Sequence, residues 1–523
     1  MAMLVGSTAL AVSSLAAAAI PDPIRLDSGL LGDGAQSSSG VRVYKGIPFA
    51  APPVGALRWQ PPQPVAKWSG VRSAAKFGDV CIQPAGRGRL NIAVLPDSPP
   101  TSEDCLYLNV WTGARSARER RPVMVYFFGG AFTEGAGSVP LYDGDQLARK
   151  GVVVVTMNYR LGPYGFFVHP ALTAESPHKA SGNYGLMDML ASLRWVQSNI
   201  EAFGGDPHNV TAFGQSAGAM AISSLVASPE AKGLFRRAIS QSGAWMGLGP
   251  SPAMPTRAQA EERGSKAAAE AGAETPAELR AMSAADVTAK LRSAGMIVDG
   301  WVIPEDPSIT FAAGRQNAVD VLVGSNSEEG AFLPGGPKVD EFVEQTRRRW
   351  GSLADAALRL YPHATDAEAA RSSGESFRDG VFWLMRLYAD YQVKRGNRAY
   401  LYYFTQNPPA PAGKPPFPAT HASEVPYVFD NLGALHLYPD RSDSELAAAS
   451  ASDRKLADEM SSYWVNFARN GNPNGRGLPK WPQHDLDSEG AIILDADPAS
   501  KHLPDAARLA LYDKLYEQEN ATR

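Results

Sequence analysis

The sequence predicts an α/β fold: a large, mostly parallel central sheet flanked by helices. Three observations carry that reading. The segment VVVVTMN (152–158) is a continuous apolar, β-branched run, which suits a strand covered on both faces within a parallel sheet. Between Tyr184 and Phe203 apolar residues recur at helical spacing. The pattern breaks at GGDP, gives a short strand NVTAFG (209–214), and resumes as a helix candidate at Ala217. Finally, helix-periodic blocks rich in Ala, Glu and Arg, 256–295 and 339–395, flank VDVLVGSN (319–326), a further buried-strand candidate. Such strand–helix alternation builds a doubly wound sheet.

In chain order, the N-terminus MAMLVGSTALAVSSLAAAAIPDP is apolar over the length of an export signal and ends in small residues at A-x-A spacing. Residues 1–20 are therefore expected to be a signal peptide and the protein to be exported, periplasmic or secreted, although no Lys or Arg precedes the apolar stretch. The segment is too rich in Ala and Ser for a membrane anchor, and no later apolar run approaches the ~20 residues a span needs. Residues 41–80 are rich in Pro and turn residues. Strands are expected at Leu106–Trp111, Pro122–Phe128 and Val152–Asn158, and later at AYLYYFTQ (399–406) and AIILDAD (491–497). The helical blocks read as excursions covering the sheet edge. No linker divides the chain, so residues 24–518 are expected to form one domain.

Composition narrows the function. Apolar residues make up 44% and charged residues 20% of 523, which excludes wholesale disorder. Fifty Lys plus Arg against 54 Asp plus Glu leave a net charge of -4. That balance offers no electrostatic footprint for nucleic acid or an anionic membrane. The two cysteines, Cys81 and Cys105, are too far apart for a C-x₂-C metal pair. In an exported chain they most simply form one disulfide.

The chemistry concentrates at Gly214-Gln215-Ser216-Ala217-Gly218, between the strand NVTAF and the helix former AGAMAISSLVAS. Small residues on both sides let the chain turn sharply and project the Ser216 hydroxyl, as a nucleophile elbow requires. The Ala217 N–H, at the helix start, can then face a developing oxyanion. After the strand VMVYF, Phe128-Gly129-Gly130-Ala131-Phe132 can bend back and present further N–H groups. Serine needs a base that is itself oriented by an acid, in the chain order Ser, acid, His for this kind of fold. His169, His178 and His208 precede Ser216 and drop out; His363 falls in a helical block, and His484 and His502 in polar C-terminal sequence. His421, in the small-residue loop PATHASE, is the better base, and His436 reads as packing. For the acid, Glu328 and Glu329 both follow the strand VDVLVGSN, and spacing does not choose between them.

These residues resemble the type-B carboxylesterase family of α/β-hydrolases, which includes para-nitrobenzyl esterases and cholinesterases. The resemblance runs from about residue 24 to the C-terminus, through GIPFAAPPVGALRW, SEDCLYLNV, NYRLGPYGF, the elbow, GSNSEEGAF, HASEVPYVF and YWVNFARNGNPNG. It implies the α/β-hydrolase fold and a catalytic triad of Ser216, Glu329 and His421. It also implies an oxyanion hole of the N–H groups of Gly130, Ala131 and Ala217, with no metal or organic cofactor. A Cys81–Cys105 disulfide and ion pairs Arg58–Glu103 and Arg160–Asp188 are implied as well. Phe128 stands where the family usually has His or Tyr. Ala131 and Ala422 stand where it has glycine, which puts the pocket's shape in question.

The expected function is hydrolysis of small-molecule carboxylic esters through an acyl-enzyme. A catalytically inactive interaction protein of the same fold is the alternative from another class, disfavoured because all three triad residues are present. The loop between the cysteines contains no aromatic residue, which disfavours choline esters, since cation–π capture needs a ring. It does carry Arg87 and Arg89, so a specialised esterase for carboxylate-bearing esters is a further alternative. The sequence does not set the oligomeric state.

Overall fold

A ten-stranded sheet organises the described residues. The computed structural model describes residues 20–84, 100–247, 253–332, 335–409, 417–434, 449–487, 490–496 and 503–521. The strands are β1 (Ala35–Gln36), β2 (Arg42–Pro48), β3 (Tyr107–Thr112), β4 (Arg121–Phe127), β5 (Val153–Met157), β6 (Gly205–Gln215), β7 (Arg237–Gln241), β8 (Asp320–Asn326), β9 (Ala399–Phe404) and β10 (Ala491–Leu494). Their order across the sheet is β10-β9-β8-β7-β6-β4-β5-β3-β2-β1. Every neighbouring pair from β10 to β5 is parallel, and β3, β2 and β1 close one edge antiparallel. All five residues of β5 are buried, because helices cover both faces of the parallel block and leave no solvated side for polar alternation.

The helix predicted after Tyr184 is α1 (Tyr184–Asn199), which tightens into a 3₁₀ turn at Ile200–Phe203 and stops at Gly204, φ 78°. The helix predicted from Ala217 is α2 (Ala217–Ala227). The block at 256–295 begins with α3 (Arg257–Ala271) and breaks into two short helices, all within the connection between β7 and β8. Since those two strands are direct neighbours, the block is an excursion from the sheet, as its composition suggested. The block at 339–395 contains α4 (Val339–Trp350) and α5 (Asp366–Lys394), and α5 packs on β8 and β9. His363 lies in the turn before α5, not within a helix. Two more helices, α6 (Ala451–Asn470) and α7 (Ala506–Ala521), complete the cover.

Strand β7 was not legible in sequence. Its five residues, RAISQ, mix charge, hydroxyl and amide with only two apolar side chains, yet all are buried between parallel neighbours. Strand β2 was likewise hidden in the turn-rich stretch.

Long-range ties fix the ends of the elements. Cys81 and Cys105 form a disulfide. Arg58 holds Glu103 through two N–H donors, Nε to Oε2 at 2.7 Å among them. Arg160 holds the fully buried Asp188 with a bidentate pair at 2.9 and 2.8 Å, and its backbone N–H donates to the same carboxylate. No helix among the described residues is long and apolar enough to cross a membrane.

Candidate active site

The candidate groups converge at the C-terminal ends of the parallel strands, where open α/β sheets place their sites. Ser216 sits between β6 and α2 with φ 54° and ψ -123°, a conformation that an L-residue adopts only under constraint. The constraint is visible in its neighbours. A Cβ on Gly214 would lie 2.5 Å from the Phe127 carbonyl oxygen, and one on Gly218 only 1.9 Å from it. The two glycines therefore let the elbow sit directly on the end of β4. The Ser216 N–H donates to the Gln241 carbonyl at 2.9 Å, which ties the elbow to β7 as well. Ser216 remains partly exposed while its flanks are buried.

The glycine loop packs against this elbow. A Cβ on Gly129 would meet Gln215 Oε1 at 2.7 Å and the Ser216 Cβ at 3.0 Å. Gly130 has φ 104°, followed by Ala131 at 52° and Phe132 at 61°. The N–H groups of Gly130, Ala131 and Ala217 donate to no protein acceptor among the described residues. Phe128 is fully buried and stacks on Tyr159, with centroids 4.3 Å apart, while the Tyr159 hydroxyl donates to the Phe128 carbonyl at 2.8 Å.

Of the two glutamates after β8, Glu329 reaches histidine. Its Oε2 lies 2.6 Å from His421 Nδ1, and its Oε1 accepts the Asn326 backbone N–H at 2.8 Å. Glu329 is fully buried and His421 is 6% exposed. Glu328 is exposed, and its pKa is raised by desolvation against the opposing charge of Arg378. With Nδ1–H donating to Glu329, Nε2 carries the lone pair that a base needs. Burial works against protonation of His421, but the charge and hydrogen bond of Glu329 and the charge of Glu424 outweigh it, so its pKa is raised.

Three residues at this site escaped the sequence reading. Gln215 places its side-chain amide 3.1 Å from His421 Nε2. Glu424, fully buried, accepts from Gln241 Nε2 at 2.9 Å and from the Asn326 side-chain amide. Asn326 thus links the two carboxylates, holding Glu329 by its backbone and Glu424 by its side chain. Burial pushes the Glu424 pKa up, and the nearby Glu329 adds to that shift. The available signal was the position of Glu424, three residues after His421, in an otherwise uncharged segment.

The remaining histidines are elsewhere. His169 caps a short helix by accepting the Ala171 N–H, and His178 stacks on Trp301. His484 pairs with Asp390 at 2.7 Å. His436 and His502, like Arg87 and Arg89, fall outside the described residues.

Comparison with known proteins gives the family of the chain. The carboxylesterase family profile matches residues 28–512. The chain is 41% identical over 514 residues to the fumonisin B1 esterase of Sphingopyxis macrogoltabida, covering 92% of this chain and 90% of that protein. It is 35% identical over 493 residues to the para-nitrobenzyl esterase of Bacillus subtilis (strain 168), covering 90% and 95%. A solved PNB esterase structure superposes with a TM-score of 0.77 at 33% identity, covering 91% of this chain and 96% of that one. With the full α/β-hydrolase sheet in place and nine-tenths or more of the chain matched to esterases, the chain belongs to the carboxylesterase family and is a serine hydrolase of carboxylic esters.

Proposed function

We propose that Ser216, His421 and Glu329 are the catalytic triad of this esterase, with the N–H groups of Gly130, Ala131 and Ala217 as its oxyanion hole. The observation that carries the reading is the 2.6 Å contact of His421 Nδ1 with Glu329 beside the strained Ser216 elbow. Nε2 of His421 takes the Ser216 proton as Oγ attacks the ester carbonyl. The tetrahedral oxyanion then meets N–H groups that donate to no protein acceptor among the described residues, so no internal hydrogen bond of theirs has to break at the moment of reaction. The intermediate collapses with loss of the alcohol, which leaves carrying the proton from His421. Water, deprotonated by the same nitrogen, then releases the acid from the acyl-enzyme.

The substrate class is small-molecule carboxylic esters. Residues 24–518 serve as a single catalytic domain in this reading, supported by the family match over residues 28–512. Export, with residues 1–20 as signal, is supported by the Cys81–Cys105 disulfide, since reducing compartments keep thiols free; residues 1–19 lie outside the described structure.

A fluorophosphonate probe tests the triad. Folded protein should be labelled on Ser216, and Ser216→Ala should lose labelling together with at least ~10³-fold in kcat. A folded Ser216→Ala protein that keeps more than about a hundredth of wild-type kcat would overturn the assignment.

A further inference from the structure

The N-terminal ends of β7, β8 and β9 open onto a cavity of about 920 Å³ at the opposite end of the sheet from Ser216. Strand β8 has seven residues, so the cavity lies roughly 20 Å from the catalytic groups. Lys232, Arg236, Arg237, Arg315, Arg395 and Arg398 line it, against only two carboxylates, Glu305 and Asp320. Both acids are already engaged. Arg398 Nη2 donates to Asp320 at 2.6 Å, and Arg315 pairs with Glu305. Lys232, Arg236 and Arg395 are exposed, and their side chains make no hydrogen bond or ion pair among the described residues.

Arg237 is the informative member. It is 6% exposed, and its Nη1 donates to the Asn209 side chain and, at 2.9 Å, to the Ala468 carbonyl. Its Nε is buried with no acceptor among the described residues. Burial first, and then the neighbouring charges of Arg236 and Arg398, depress the pKa of this guanidinium, with Asp320 acting in the other sense.

Helix ends account for only part of the cluster. The C-terminal ends of α2, α5 and the short helix Pro307–Ala312 contribute to the lining. Each carries about half a negative charge, so together they offset about one and a half positive charges. The six cations exceed the two acids by four charges. A positive excess therefore remains, at a cavity of ligand size, with forked donors suited to planar oxyanions.

We propose that this cavity binds a small polyanion bearing two or more carboxylate or phosphate groups, held between Arg236 and Arg237 at the start of β7 and Arg395 at the end of α5. One oxyanion group can lie against the guanidinium pair at the start of β7, led by the exposed and unpaired Arg236, and a second can bridge to Arg395. A monovalent anion satisfies only one side and gains no such bridge.

Calorimetric titration tests this on full-length protein whose Ser216 has been blocked with a fluorophosphonate, which separates the cavity from the catalytic site. Citrate and inorganic pyrophosphate are the two probes, used separately, with ionic strength held constant by NaCl. At least one should bind saturably with Kd at or below ~1 mM. Binding by citrate alone assigns the site to carboxylates, and binding by pyrophosphate alone to phosphates. Arg236→Gln/Arg395→Gln should weaken that binding at least tenfold, with circular dichroism showing that the variant is folded. Should the double variant not fold, the two single substitutions replace it, each with an expected weakening of several-fold. No saturation up to ~10 mM of either probe, or an unchanged Kd in the folded variants, would overturn the proposal.

Discussion

At the residue scale, the proton affinity of His421, the proposed base, sets the expected working pH. Burial disfavours the imidazolium, yet Glu329 and Glu424 together stabilise it more, so the pKa rises above the ordinary imidazole value of about 6.5. A base must be neutral, so activity is lost as pH falls through that raised pKa. The acid limb of kcat/KM should therefore lie above pH ~6.5. Glu424→Gln removes one of the stabilising charges and should move the limb to lower pH while leaving Glu329 in place. A limb at or below that of a free imidazole in wild type, or one that does not move in Glu424→Gln, would contradict this electrostatic account. Ala131 sets a second residue-scale expectation. It is exposed, with φ 52°, on the glycine loop. Left-handed backbone costs an L-residue about 1–2 kcal/mol, and if the Ala131 N–H serves the oxyanion as proposed, its methyl group crowds a bulky alcohol at the reacting carbonyl. Phe128 does not fill that space, because its ring is buried against Tyr159. Ala131→Gly should therefore raise the ratio of kcat/KM for tert-butyl acetate over ethyl acetate, on the order of tenfold or more. An unchanged ratio would place control of alcohol bulk in other residues.

At the element scale, the elbow is a joint between β6, α2 and the end of β4, and its glycines are steric requirements. A Cβ on Gly218 would stand 1.9 Å from one backbone oxygen and 2.9 Å from the next, and neither can move without displacing β4. Gly218→Ala should cost about 3 kcal/mol of stability by urea denaturation and also displace Ser216. Gly233 is the control. It has φ 81° but nothing within 4 Å of an added Cβ, so Gly233→Ala should cost only ~1 kcal/mol. Equal costs would mean that the close approach of β4 is not what makes glycine necessary at position 218, since Gly218 is helical and has no left-handed backbone of its own.

At the scale of the whole molecule, the sheet holds its site by ties that span the chain. The Cys81–Cys105 disulfide closes a separation of 24 residues. In the chain-entropy model that constraint is worth about 3 kcal/mol against the unfolded state. The Cys81→Ala/Cys105→Ala protein should be less stable by about that amount in urea and retain its fold. A double variant as stable as the oxidised wild type would mean that packing around the two buried sulfurs, not the covalent link, secures this loop. The buried Arg160–Asp188 pair acts differently: it joins the loop after β5 to α1, and losing either partner would strand a charge in the core.

How much of this was legible without the structure follows from the range over which each determinant acts. Local pattern sufficed where the signal is contiguous. The valine run of β5, the helix after Tyr184, the strand–Ser216–helix elbow and the excursions between strands are written in neighbouring residues. Strand β7 was invisible because RAISQ has no strand-like pattern of its own and is buried only by its partners β6 and β8. The choice between Glu328 and Glu329 was likewise not local. Adjacent residues on a turn point in different directions, and only the return of the chain at His421, 92 positions later, gives one of them a partner. Asn326 and Glu424 belong to the same case, as does the cationic cavity, whose members are scattered from Lys232 to Arg398. Sequence alone determined the class of chemistry, because a nucleophile elbow is a local turn requirement. Tertiary structure decided which glutamate pairs with His421 and where unpaired charge accumulates, because both depend on electrostatics between residues far apart in the chain.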